Sequence, residues 1–477
     1  MANKLPDISR NFAEWYTKVI LEAKLADYGP VRGTMILRPN GYALWKNVQK
    51  YLGAMIEDMG VQDAYFPLFI PMSYLKRESE HVEGFAPEVA VVTHAGGKKL
   101  EEPLVVRPTS ETIMYEAFSR WIKSYRDLPL LINQWNNVVR WEKRTVFFLR
   151  TSEFLWQEGH TAHATRDEAV EMVFKALNAY DSFLKEYAAI WGVKGYKTHG
   201  EKFAGAEFTT TIEVLLRSKK ALQSCTSHFL AQKFAKPFDV KFLDENNMEK
   251  YVWQTSWGMS TRVLGAIVGV HGDQQGLILP PKMVATQVVI VPIFKTAKEQ
   301  RDILEFASLV HTMLKGAGIR VALDASDKTP GWKFNHWELL GTPLRIEIGQ
   351  KELETNTITV VDRVSKERRK LMKSKDLPQV INELLSQFHE QLLKRSRTYL
   401  EENTYEAQNE QELAEIVMEK GGFIKVWFKD SDKTAAYLQD KYKVTPRVIP
   451  LETYDQTGVD FITGEKGARL TLFAKAY

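Results

Sequence analysis

The chain has 477 residues, 44% hydrophobic and 26% charged, as ordinary globular proteins do, and this length suggests roughly two to four domains. Its 28 glycines and 18 prolines exclude collagen-like and low-complexity architectures, and 64 basic against 60 acidic residues leave a formal charge of +4, so any polyanion-binding surface has to be local. A single cysteine, Cys225, excludes an internal disulfide framework and all-cysteine zinc sites, and makes a reducing, cytoplasmic compartment the expectation.

Met1 to Asn11 carries charges without an apolar run, so no secretory signal is expected, and no stretch approaches the roughly 18 apolar residues of a membrane span. Asn11 to Leu25 and Tyr42 to Met59 place apolar residues at helical spacing. A short apolar strand is expected from Ala64 to Ile70, with Pro67 arguing for an edge position. A helix opens at Thr109 or Ser110. Two long strands, Pro129 to Trp141 and Glu153 to Thr165, flank a basic connector, and a helix follows from Asp167 to Ile190. Strands are expected at Thr209 to Leu215, Val240 to Leu243 and Tyr251 to Thr255, then a buried helix from Trp257 to Val270. Consecutive strands without βαβ alternation predict a largely antiparallel sheet with flanking helices, an α+β domain.

After Pro280-Pro281 the pattern changes. Gln287 to Ile293, Gly318 to Asp324 and Pro343 to Ile348 alternate with helices, and Thr357 to Asp362 adds a strand, which predicts a compact α/β domain with a parallel sheet. A helix from Pro378 to Tyr399 leads into a charged connector, Glu401 to Glu412. Strands near Phe423 to Phe428, Arg447 to Pro450 and Ala468 to Ala474 predict a small third α/β domain.

The densest chemistry lies in Val138-Val-Arg-Trp-Glu142 and Phe147-Phe-Leu-Arg-Thr-Ser-Glu-Phe-Leu-Trp-Gln-Glu-Gly-His160. Arg140 and Glu142 are two apart and are expected on one face of a strand, beside polar Glu153, Gln157, Glu158 and His160 and aromatic Phe154 and Trp156. An arginine offers a planar fork to phosphate, and an aromatic face stacks on a base. Arg262, facing inward from a small-residue helix, needs an anionic partner, either a structural carboxylate or a ligand. Gly272-Asp-Gln-Gln-Gly276 lacks the order of a P-loop and is expected to be a tight turn. Ser224-Cys-Thr-Ser-His228 groups a thiol with an imidazole, but without a positioned partner it is expected to be a turn or a substrate-lining segment rather than a nucleophile. Arg363 to Lys375 carries seven basic residues against Glu367, suiting either RNA phosphates or a solvated turn. His81-Val-Glu-Gly and Lys370-Leu-Met-Lys-Ser-Lys are rejected as the two signatures of Rossmann-type synthetases, because context and order are wrong.

Taken in order, the helix–strand ending at Pro67, the Arg140-x-Glu142 hairpin and the Gly258-x-Ser-x-Arg262 segment resemble the three motifs of class II aminoacyl-tRNA synthetases. Arg107-Pro-Thr-Ser-Glu111, Phe148 to His160, Lys202-Phe-Ala-Gly205, Thr226-Ser-His228 and Val270-His-Gly-Asp273 resemble the prolyl-tRNA synthetase family of the archaeal and eukaryotic-like type, and the similarity runs to the final Ala-Tyr477. The resemblance implies a class II catalytic domain over 1–283 on a mostly antiparallel sheet. It also implies an α/β anticodon-binding domain over 284–400 and a small C-terminal domain over 401–477. It implies a proline–tRNA ligase, acting as a homodimer on ATP, L-proline and tRNA(Pro) with Mg²⁺ accompanying ATP. The competing possibility is a non-catalytic paralogue serving as an RNA-binding or regulatory subunit; an adenylating enzyme with a non-tRNA acceptor is weaker.

Carried over by position, the resemblance gives Arg140 the α-phosphate, Glu142 the adenine end and Phe154 the adenine face. Arg150, Thr151, Gln223 and Ser260 complete the nucleotide contacts, and Arg262 holds the γ-phosphate. Thr109 and Glu111 take the secondary ammonium of proline, while Trp156, Glu158, His160, Phe203, Thr226 and His228 line its ring pocket. Arg140 and Arg262 are the catalytic pair, and Glu338, Arg345 and Lys370 face the anticodon. Where relatives bind zinc through four cysteines, this chain has Phe428, Lys433, Asp460 and Thr463, so no zinc is expected. The large editing insertion of the bacterial type has no room between the second and third motifs, so misactivated alanine or cysteine is not expected to be cleared in cis.

Overall fold

The computed structural model describes residues 5–75 and 89–477; His81-Val-Glu-Gly lies outside the described residues. Its largest feature is a sheet of twelve described strands. From one edge the path runs Thr404–Glu406, Phe423–Phe428, Lys466–Ala474, Thr445–Pro450, Val193–Tyr196, Phe208–Leu215, Ala221–Ala231, Trp253–Ser260, Glu153–His163, Leu130–Val139 and Gln62–Asp63, with Gly458–Val459 paired off this path. All neighbours are antiparallel except the two outermost pairs, as the run of consecutive strands predicts.

Helices pack against the catalytic half. Arg166–Glu186 starts from a capping box in which Thr165 accepts from the Glu168 N–H and Glu168 accepts from the Thr165 N–H. It lays Ala169 and Val173 on Phe229 of the sheet. Phe12–Glu22, capped by Asn11, and Arg262–His271 share a core with Trp15, Tyr16, Val263 and Ile267. One close approach explains a glycine in the Gln-Glu-Gly-His run: a Cβ on Gly159 would stand 2.2 Å from the Trp257 ring on the adjacent strand.

A separate sheet runs Val321–Leu323, Val288–Pro292, Leu344–Ile348, Thr357–Asp362 and Arg368–Met372. The first three strands are parallel, but the last two are antiparallel, so this region is mixed rather than parallel throughout. The basic run therefore forms both the turn after Thr357–Asp362 and the edge strand Arg368–Met372. This region is tied to the catalytic sheet by Arg363, which grips both carboxylate oxygens of Asp273 at 2.7 and 2.9 Å. Leu277 and Leu279 also donate to the Leu339 and Gly341 carbonyls.

Several sequence expectations need correction. The 64–70 strand is split: Gln62–Asp63 pairs with Leu130–Val139, while Phe69–Pro71 joins a small sheet with Lys98–Val106 and Val91–Ala95. Trp257 to Ser260 belongs to a strand, and the helix begins only at Arg262, because alternation puts Trp257 and Met259 in the core. Ser224 to His228 lies mid-strand in Ala221–Ala231, whose hydroxyls obscured the pattern. The charged connector holds a short strand and the start of helix Glu410–Glu419. The C-terminal strands also join the large sheet, where Ile449 pairs with Tyr196 and Pro450 with Gly195. A Cβ on Gly195 would meet the Ile449 carbonyl at 2.0 Å, so the join depends on that glycine. Asp273 and Gly276 do close a tight turn. No helix among the described residues is long and apolar enough to cross a membrane.

Candidate active site

On one face of the large sheet lies a cavity of about 490 Å³, within the roughly 300–1,000 Å³ usual for small-ligand sites. Adjacent antiparallel strands supply most of its floor: Phe154, Trp156, Glu158 and His160 at every second position of one, and Ser256, Gly258 and Ser260 of the next. This period-two alternation is why the dense polar and aromatic run of the sequence converges on one surface.

The buried end is acidic. Glu158 accepts from Asn136 Nδ2 at 2.6 Å, Gln134 Nε2 at 3.1 Å, the Ser110 N–H at 3.2 Å and the Ser110 hydroxyl, and lies 3.1 Å from His160 Nε2. Burial raises the pKa of Glu158, but the bonds from His160, Ser110 and Asn136 outweigh it and hold the carboxyl below its usual range. Burial opposes charge on His160 too, yet Glu158 and Glu111 raise its pKa. The Thr109 hydroxyl donates to Glu111, whose other lone pairs point to the same space. His228 goes the other way: burial, then His160 and Arg140, lower its pKa to about 3, and Thr209 lies 2.9 Å from its Nδ1. The Phe203 ring lies 5.0 Å from that of His228, tilted by 46°.

The other end is cationic. Arg140 reaches deep into the cleft while staying open to solvent, its guanidinium 5.5 Å from the Phe154 ring and 5.3 Å from the Trp156 ring. Its Nε donates to the Pro108 carbonyl at 3.0 Å. Arg262 donates to the Leu149 carbonyl at 3.1 Å and the Gln223 carbonyl at 3.4 Å, and burial, with Arg140 next in weight, lowers its pKa to about 10. The inward arginine thus has carbonyl partners and no carboxylate at ion-pair distance among the described residues. Trp156 Nε1, Ser224 Oγ and Ser256 Oγ, all on cavity-lining residues, are buried without a hydrogen-bond partner in the protein. Unpaired buried donors and a cation without an anion together are what a polar, anionic ligand would satisfy.

Of the residues singled out from the sequence, Thr109, Glu111, Arg140, Phe154, Trp156, Glu158, His160, Phe203, Gln223, Thr226, His228, Ser260 and Arg262 line this cavity. Glu142, Arg150 and Thr151 do not. The strand ends at Val139, so Arg140 and Glu142 do not share a strand face; Glu142 turns to Arg150, 3.3 Å away at the rim. Thr151 is buried and donates to the Glu153 carbonyl. The sequence reading missed Pro108, Glu201, Thr209 and Trp257 as wall residues. Cys225 lines the wall too, but burial drives its thiol pKa up and against the thiolate.

In the second region Glu338 is paired with Arg345 at 3.2 Å and Lys366 at 3.1 Å, and Arg345 is also 3.0 Å from Glu347. Arg345 is therefore largely committed within the protein, while Lys370 is exposed. Among the four positions of the expected zinc site, Phe428 is in the C-terminal core, and Asp460 spends its oxygens on the N–H groups of Lys429, Ile462 and Thr463. That donor set does not suit zinc.

The model of the tRNA synthetase class II core domain (G, H, P, S and T) matches residues 93–271, and that of the anticodon binding domain matches residues 287–384. The proline–tRNA ligases of Prosthecochloris aestuarii and Chlorobium limicola are each 46% identical to this chain, and that of Amoebophilus asiaticus 45%, with both partners covered in full. The crystal structure of prolyl-tRNA synthetase from Cryptosporidium parvum complexed with halofuginone and AMPPNP superposes with a TM-score of 0.93 at 38% identity, over 99% of each chain. With similarity of this extent framing the cleft and both matched regions, the chain belongs to the class II prolyl-tRNA synthetases and is an enzyme, a proline–tRNA ligase.

Proposed function

We propose that the cleft activates proline with ATP at its arginine end and holds the amino acid at its acidic end. The observation carrying this reading is the pairing, within one cavity, of two arginines lacking carboxylate partners with a buried acid pair. Arg140 takes the α-phosphate and Arg262 the γ-phosphate, with Gln223 and Ser260 beside them and Phe154 on the adenine. Glu142 and Arg150 serve the nucleotide from the rim, and Thr151 from behind the cavity wall. Glu111, aligned by Thr109, accepts from the secondary ammonium, since the oxygens of Glu158 are already engaged by four neighbours. Trp156, Glu158, His160, Phe203, Thr226 and His228 enclose the ring.

Proline's carboxylate attacks the α-phosphorus, pyrophosphate leaves, and the prolyl group then passes from the adenylate to the terminal ribose of tRNA(Pro). Acid–base help is small, and the protein contributes by positioning and charge neutralisation. Glu111, Glu158 and His160 form a three-donor cluster, but its hydrogen bonds and its imidazole suit Mg²⁺ poorly, so Mg²⁺ would arrive on the phosphates of ATP. When bound, it neutralises phosphate charge.

The finer readings rest on the same basis. The domain limits are 1–283, 284–400 and 401–477, with the last region adding its strands to the sheet of the first. Glu338, Arg345 and Lys370 face the anticodon, with Arg345 aligning the Glu338 carboxylate. The enzyme is of the archaeal and eukaryotic-like type, supported by the likeness to the Cryptosporidium structure and by the absence of room for an editing insertion; that it is a cytoplasmic homodimer rests on the family resemblance and the single cysteine. Discrimination against a missing methylene is worth only about 1–3 kcal/mol, so alanine and cysteine are misactivated and not cleared in cis. Amino-acid-dependent ATP–pyrophosphate exchange without tRNA tests the reading: strong exchange with proline and weak exchange with cysteine or alanine is expected, and silence across all amino acids would overturn it.

A further inference from the structure

One wall of the cavity, Glu201 to Ala204, is neither strand nor long helix; it follows the single turn His199–Glu201. What holds that turn comes from the C-terminal region. The His199 N–H donates to both oxygens of Asp430, at 3.0 and 3.1 Å, and its ring Nδ1 is 3.2 Å from Asp432. Beneath the turn lies Glu213, fully buried, accepting from Lys197 Nζ at 2.8 Å and from Arg447 at 3.0–3.1 Å. Lys197 also donates to the Arg447 carbonyl at 3.0 Å. Two cations thus face one buried carboxylate. The second negative charge is Glu201, whose carboxylate is 3.9 Å from Arg447.

That charge count makes the device directional. A buried ion pair adds little net stability, but removing one member leaves an uncompensated buried charge, which is strongly unfavourable. Glu201, a third exposed, supplies the other counter-charge from the edge of this buried cluster, so the turn is drawn toward Arg447. The next residues are the wall itself, and the Phe203 N–H, 3.1 Å from Thr209 Oγ1, fixes the ring beside His228.

We propose that Asp430, Asp432 and Arg447 are positioning residues for the amino-acid pocket: the C-terminal region seats the 199–204 wall and thereby sets affinity for proline rather than for ATP. The inference rests on reading Phe203 and His228 as the amino-acid side of the cleft.

The test uses the full chain. Asp430 has φ of 56°, so Asp430→Gly removes both acceptors without backbone strain, and Asp430→Asn tolerates the same conformation while keeping one. In pyrophosphate exchange, Asp430→Gly should raise the KM for proline about tenfold with the KM for ATP within about twofold, and Asp430→Asn should restore most of it. Arg447→Met should show a larger shift of the same kind. In Asp430→Gly, amides of residues 198–204 should exchange with solvent faster. Unchanged protection there, or equal rises in both KM values, would overturn the inference; if Arg447→Met does not fold, the Asp430 pair decides alone. A parent chain silent with proline would defeat the functional reading instead, and the amide exchange would still judge the seating of the wall.

Discussion

At the buried end of the cleft Glu158 accepts from Ser110, Gln134, Asn136 and His160, whereas at the other end Arg140 and Arg262 donate only to backbone carbonyls. The acid is complete before any ligand arrives; the arginines are not. Desolvating a satisfied carboxylate costs little more when a substrate docks, so the buried end provides shape and a fixed field. The arginine end holds two guanidinium groups whose hydrogen bonds go to carbonyls alone, so on the proposed reading it is the end left to meet developing charge. Two histidines show the same division at close range, since His160 is pushed toward its charged form by Glu158 while His228 is kept neutral.

This contrast breaks most visibly at Arg262. Arg262→Ala should lower pyrophosphate exchange by about 10³-fold or more while tRNA affinity stays nearly unchanged; a mild loss would mean that the unpaired charge is structural. Glu158→Gln keeps the shape but not the charge. It should raise the KM for proline by about 10- to 100-fold with less effect on ATP, and an unaltered proline KM would show that the buried end is only a scaffold. Glu338→Ala lies outside the cleft and should weaken tRNA binding about tenfold, leaving exchange intact; damage to both steps would dissolve the separation of regions.

The smallest effect concerns pH. The folded-state pKa of His228 is about 3, below the usual 6.5, so as pH falls the unfolded chain takes up its proton first. Stability from this group is complete above pH 6.5 and is lost progressively down to about 3. His228→Gln should therefore flatten the stability–pH curve in that window by about one proton, measured by denaturant titration. His163 and His271, lowered to about 4 and about 3, carry the same sign and should persist in the variant.

Much of this arrangement was legible in the residues. Glu153 to His163 is readable because its alternation survives its polar content, and Arg166–Glu186 announces itself through Thr165 and Glu168. Arg140, Glu158 and Arg262 were found because ionisable groups among aromatics need a reason. Other parts were hidden for physical causes. Ser224 to His228 reads as a turn by composition, yet two neighbouring strands on either side pull it into the sheet. The partners of Arg262 are carbonyls, which have no sequence signature. Glu201 became part of the wall through contacts more than two hundred residues away, and no local pattern encodes such a distance.

The pairing of Thr445–Pro450 with Val193–Tyr196 has a consequence for synthesis. During translation, the strand beside Phe208–Leu215 is made some 250 residues before the strand that will cover it. Until then Val193–Tyr196 is an uncovered edge on the nascent chain, open to pairing with another molecule. The cleft's last wall is seated only when residues near Arg447 have emerged.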